Sequence, residues 1–185
     1  MKLFFYQFLY GQLFVLTIMI VFAGTVLWGK MSKHFSYHVW RIISISCFII
    51  VILAILCPTV LIRGINFTME NRGTVVLQPF HFLITGKSSH EIYRVAAGNV
   101  LIFMPFGAII AGMKSKTSQK NGIVWRVALL AIISGLLFSF LIELAQYFLV
   151  GGQAETDDLI CNSFGALLGA ACCVLPEMHK AHKQK

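Results

Sequence analysis

Acidic residues are scarce in this sequence: Asp and Glu together number 7 among 185 residues, and charged residues of all types make up only 12%. A chain so poor in charge cannot clothe a water-soluble surface. Proline is sparse too, with 4 residues, so little interrupts a helix. The five cysteines, Cys47, Cys57, Cys161, Cys172 and Cys173, all fall in apolar stretches without C-x-x-C spacing. That pattern gives neither a disulfide frame nor a zinc site, and the thiols read as packing residues. Histidine-rich metal spacing and a Ser-His nucleophile arrangement are missing. So are internal repeats, low-complexity tracts and linkers, and residues 1–185 read as one domain.

What is abundant is apolar. Hydrophobic residues make up 58% of the chain and gather in five runs, residues 3–29, 42–62, 95–113, 127–150 and 159–175. A helix needs about 20 apolar residues to cross a bilayer core. The runs are continuous rather than alternating, which excludes barrel strands, and lipid then leaves the backbone only the helix. The expected fold is all-α, a polytopic integral membrane bundle of about five transmembrane helices. The first run is expected to stay as a helix, because it outlasts the roughly 7–15 residues of a signal-peptide core and no A-x-A-like cleavage site precedes Lys30.

Basic residues beside the spans set the orientation, since they stay on the cytoplasmic side. With the N-terminus outside, the inner segments carry ten: Lys30, Lys33, Arg41, Lys114, Lys116, Lys120, Arg126, Lys180, Lys183 and Lys185. The outer segments hold five, Lys2, Arg63, Arg72, Lys87 and Arg94. The reverse topology inverts the ratio, so the N-terminus is expected outside and the C-terminus in the cytoplasm. Inner loops lying on anionic lipid account for the net charge of +8. Nucleic acid is not an expected partner, because the basic residues are scattered and no binding motif accompanies them. The one long connection, residues 63–94, then lies outside. Its apolar part, 75–84, broken by Gln78, Pro79 and His81, is expected to dip into the interface or re-enter the bundle.

Only one charge interrupts the runs, Glu143. A carboxylate within a span costs several kcal/mol unless it faces protein or water, which makes it a functional candidate. Gln146 and Ser139 share its helix face. The third run holds Asn99 and then Pro105-Phe106-Gly107, where proline should kink the helix and free the Leu101 carbonyl. The fifth is preceded by Asp157-Asp158, with Asn162 one turn inside. At 1.5 Å per residue, Asn99 and Gln146 lie roughly 6 Å and Glu143 roughly 10 Å below the outer ends of their spans. Three helices thus bring amides and carboxylates to one level. The plainer interpretations are helix contacts for Asn99, Gln146 and Asn162, capping of the fifth helix for the Asp pair, and close packing for the Gly165 and Gly169 spacing.

At these residues the sequence resembles the VanZ-like membrane proteins. The matching blocks are Gly98-Asn99 with Phe103-Met104-Pro105-Phe106-Gly107, then Ile142-Glu143-Leu144-Ala145-Gln146, then Asp157-Asp158-Leu159-Ile160-Cys161-Asn162-Ser163-Phe164-Gly165. They agree in order and spacing over about residues 77–169, and Gln78-Pro79-Phe80 is similar to the apolar-Pro-Phe step that often precedes them. Two departures stand out. Family members commonly carry an Arg and a further Asp just before the Asp pair, where this chain reads Gly151-Gly152-Gln153-Ala154-Glu155-Thr156. Glu155 can stand in for the Asp, but the Arg has no counterpart. The resemblance implies a role at the bacterial cell envelope, the namesake being linked to low-level teicoplanin resistance, and it supplies no reaction.

The residue types favour a binding or modulating protein of the bacterial cytoplasmic membrane, with no cofactor. Its expected partners are the bilayer and a lipid-linked cell-wall precursor or lipoglycopeptide, whose sugar hydroxyls suit Asn, Gln and Asp. Arg72, Lys87 or Arg94 could meet a phosphate. One alternative is a metal-dependent enzyme acting on a lipid-linked pyrophosphate, with Glu143, Asp157 and Asp158 as ligands. Another is a small transporter or flippase using Glu143 as a proton relay.

Overall fold

The computed structural model describes residues 23–24, 27–28, 31, 34–61, 73–84, 89–115 and 124–183. Among them four helical segments are long and apolar enough to cross a membrane, Tyr37–Leu61, Val95–Met113, Trp125–Val150 and Thr156–Val174. The protein is an all-α bundle. The expected first span, 3–29, lies outside the described residues save for 23, 24, 27 and 28, which are helical.

Helix α1 is Tyr37–Leu56, and its first turn is capped by Ser36, whose side chain accepts from the Val39 N–H at 3.5 Å. Cys57–Leu61 continues it as a π-helical turn. Pro58 has no N–H to donate, and here the Thr59 hydroxyl donates to the Ile55 carbonyl at 2.6 Å. Helix α2, Ser89–Ser115, runs through Pro105. Helix α3, Val124–Ala145, also ends in a π-helical turn, Gln146–Val150, stopped by Gly151 at φ 66. Helix α4 is Thr156–Lys183.

The helices begin before the apolar runs do: α1 at Tyr37 rather than 42, α2 at Ser89 rather than 95, α4 at Thr156 rather than 159. Hydropathy marks the stretch that lipid requires to be apolar, and a helix propagates past it at little cost. The connection expected over 63–94 is shortened accordingly. Its described part is also not a plain loop, because strand β1, Thr74–Val76, pairs in parallel with strand β2, Gln153–Glu155. Thr74 sits opposite Gln153, Val75 opposite Ala154 and Val76 opposite Glu155. A turn and a short 3-10 helix, His81–Leu83, follow β1.

Helices α2 and α4 are packed backbone to backbone. A Cβ on Gly165 would fall 2.1 Å from the Val100 carbonyl oxygen, one on Gly169 1.9 Å from that of Met104, and one on Gly107 1.8 Å from that of Ala166. Four residues further along both chains, Cys173 Sγ donates to the Ala108 carbonyl at 3.5 Å. Partners advance together on both helices, so α2 and α4 run parallel. Helix α3 runs the other way, with Gly135 against Ala166 and Ser139 against Asn162. The N-termini of α2 and α4 and the C-terminus of α3 therefore share one end of the bundle.

Candidate functional site

That shared end collects the buried polar side chains of the described residues, save Ser44 of α1. Ser139, Glu143, Gln146, Asp157 and Asn162 are each at most 5% exposed, an arrangement that costs free energy unless every group finds a partner. The partners join the helices. Asn99 of α2 donates to Asp158 of α4 at 2.5 Å. Asn162 of α4 donates to the Ser139 hydroxyl of α3 at 2.8 Å, while its own Oδ1 is buried without a hydrogen-bond partner. Gln146, in the π-helical turn after α3, donates to the Thr59 carbonyl at 3.3 Å and so ties that turn to its counterpart after α1.

The carboxylates hold the covering segments. Glu143 Oε2 accepts from the Glu155 backbone N–H at 2.9 Å. Asp157 accepts from the Phe80 backbone N–H, and Phe80 is the one non-glycine residue with positive φ among the described residues, at 59°. The Thr156 hydroxyl donates to the Val76 carbonyl at 3.2 Å. Backbone bonds complete the cap, Gly73 N–H to the Tyr147 carbonyl at 3.1 Å and Gly152 N–H to that of Gln146 at 2.9 Å. Gly73 is required there, since a Cβ would lie 1.8 Å from the Gly152 carbonyl oxygen. Asp157 and Asp158 lie in the first turn of α4, where the helix dipole favours negative charge.

Beneath β1 and β2 a cavity of about 320 Å³ opens against α3. Its walls are mostly apolar, with Val75, Leu77, Leu144 and Leu159, while Glu143, Glu155 and Thr156 supply polar groups. Pro105 lines a second cavity of about 200 Å³, wholly apolar in character, together with Trp28 and Cys47.

Of the residues singled out in the sequence, the structure joins Asn99 to Asp158 and Asn162 to Ser139, and puts Glu143 on a cavity wall. It does not assemble Glu143, Asp157 and Asp158 as a metal-binding triad: they turn to the Glu155 amide, the Phe80 amide and Asn99. Among the described residues no group of three or more His, Cys, Asp or Glu side chains is arranged to hold a metal ion. Pro105, Phe106, Gly107, Gly165 and Gly169 belong to the packing of α2 on its neighbours. Sequence inspection missed Thr59, Tyr147 and Thr156. Thr59 carried a signal, a hydroxyl directly after the proline inside an apolar run. Backbone partners such as the Tyr147 carbonyl and the Phe80 amide carry none.

A protein-family model described as VanZ/LLP1 matches residues 13–176. Comparison with curated proteins and with solved structures gives no match.

Proposed function

The chain belongs to the VanZ/LLP1 family, and on that premise we propose that it modulates susceptibility to glycopeptide or lipoglycopeptide antibiotics by engaging a lipid-linked component of the bacterial envelope. The binding end is the one formed by the N-termini of α2 and α4, placed in the outer leaflet with the N-terminus outside and the C-terminus in the cytoplasm. The observation that carries this proposal is the meeting of polar side chains from three helices beside a cavity with apolar walls. An amphiphile needs both surfaces, a hydrogen-bonding region for its head and an apolar one for its tail. Asn99, Glu143, Gln146, Asp157, Asp158 and Asn162 are the ligand-binding candidates.

The family's Arg before the Asp pair is replaced here by the neutral stretch before Glu155, so a phosphate contact falls to Arg72, Lys87 or Arg94. The experiment is expression of Glu143→Ala and Asp158→Ala at equal membrane abundance, with drug susceptibility as the readout. Each is expected to abolish any resistance the unaltered chain confers. Full retention by both would assign the polar cluster to structure alone.

A further inference from the structure

We propose that residues 75–84 form an apolar lip seated in lipid at the polar end of the bundle, so that the cavity beneath the cap opens into the bilayer rather than into water. The inference goes beyond the ligand assigned above and holds for either orientation of the chain. Exposure is the first observation. Val75, Leu77, Leu83 and Ile84 are between 54% and 77% exposed, and residues 73–84 contain no Asp, Glu, Lys or Arg. Large apolar side chains gathered on a surface in this way mark a contact.

Depth identifies what is contacted. The Thr156 hydroxyl donates to the Val76 carbonyl at 3.2 Å, and the Phe80 amide donates to Asp157. These bonds hold the segment level with the first turn of α4. The membrane-crossing stretch of that helix begins at Thr156 and has 19 residues, a length of roughly 29 Å at about 1.5 Å per residue. A hydrocarbon core is about 30 Å thick, so the stretch is used from end to end and Thr156 stands at its edge. A segment bonded there lies where lipid tails give way to head groups. The apolar surface is also continuous with a face that lipid covers. Phe140, Leu144 and Phe148 are exposed on the membrane-crossing part of α3, and they line the cavity together with Val75 and Leu77 of the lip. In the sequence Arg72 and Lys87 flank the segment, an order that suits phosphate at the head-group level.

Spin labels test the lip on the full-length chain, reconstituted in vesicles of phosphatidylcholine and phosphatidylglycerol. Labels enter singly at Leu77→Cys, which also lines the cavity, at Leu83→Cys and, as the lipid reference, at Leu137→Cys, exposed midway along the α3 span. The five native cysteines are replaced by alanine. Oxygen, which concentrates in hydrocarbon, is expected to relax the labels at 77 and 83 more than a water-soluble nickel chelate does, as it will at 137. Dominance of the nickel chelate at either lip position would put the segment in water and overturn the proposal. Poor access of both reagents would overturn it as well, because protein, a second copy or another chain, would then cover the lip. The unaltered chain gives an independent reading should the cysteine-free one fail to fold. A bilayer-soluble diazirine, activated in the same vesicles, is expected to leave adducts on residues 75–84 as it does on α3. Adducts on α3 with none on 75–84 would equally overturn the proposal.

Discussion

The two ends of the bundle are built on different principles. At the end of the bundle holding the α2 C-terminus, small apolar residues, Ala108, Ala111, Ala131, Ala170 and Cys173, close on one another. The indole of Trp40 donates to the Gly112 carbonyl at 3.2 Å, Trp28 packs beside it at 4.5 Å between ring centroids, and Trp125 lies with Arg126 at the start of α3. All 3 tryptophans of the chain therefore gather there, where membrane interfaces commonly hold them. The opposite end has no tryptophan and is joined by amides, hydroxyls and carboxylates. Close fit of small side chains, with the Trp40 indole and Cys173 thiol bonds beside it, joins the first end, and a network of polar side chains joins the second. Lipid makes the contrast sharp, because it offers no hydrophobic drive between helices and leaves van der Waals fit and polar contacts to do the joining.

From that contrast, the largest stability effect is expected at the glycine seam rather than at any polar residue. In Gly107→Leu even the Cβ would meet the Ala166 carbonyl oxygen at 1.8 Å, and a backbone atom cannot swing aside as a flexible side chain can. Overpacking typically costs about 1–3 kcal/mol and more where nothing yields. The variant is expected to lose nearly all monodisperse protein on size-exclusion chromatography. A Gly107→Leu protein of normal yield would show that α2 and α4 are not in backbone contact.

A middle-sized effect is expected at the polar end. In a double-mutant cycle of Ser139→Ala and Asn162→Ala, the coupling should come out at about 0.6–1.7 kcal/mol, the range for hydrogen bonds between membrane helices. The cycle is needed because Asn162 also buries an oxygen with no hydrogen-bond partner, a penalty that its removal would relieve. Thermal midpoints in detergent measure all four proteins. Coupling near zero would make the polar end as dependent on shape as the other.

The seam and the helices were open to inspection in the sequence, whereas the cap was not. Gly165 and Gly169 announce a close helix contact by their spacing, and depth along a helix is simple arithmetic, which is why Asn99 and Asp158 could be assigned to one level before their hydrogen bond was seen. Parallel pairing of β1 with β2 joins residues 74–76 to 153–155, and nothing local marks it. Thr74, Val75 and Val76 have strand propensity, but Gln153, Ala154 and Glu155 show no such bias. The partners of the three carboxylates were hidden for a related reason. Sequence shows that three carboxylates lie at one end, but not that backbone amides from covering segments donate to two of them.

The smallest effect expected concerns the joint between cap and helix. Phe80 holds a left-handed conformation, at φ 59, which disfavours any residue with a Cβ by about 1–2 kcal/mol. Its side chain is 53% exposed, so Phe80→Gly gives up little burial and relieves that strain. Glycine's greater freedom in the unfolded chain takes back about 0.5–1 kcal/mol. The two nearly cancel, and the thermal midpoint should move by no more than a few degrees. Hydrogen exchange at residues 80–84 is the finer readout, since the Phe80 amide is bonded to Asp157 and the Leu83 and Ile84 amides to the Phe80 and His81 carbonyls. Protection there should survive Phe80→Gly and fall in Asp157→Ala, because the carboxylate rather than the ring pins the segment. Protection lost in the glycine variant and kept in the alanine variant would mean that the ring holds the cap down, and the polar end would then owe its closure to packing after all.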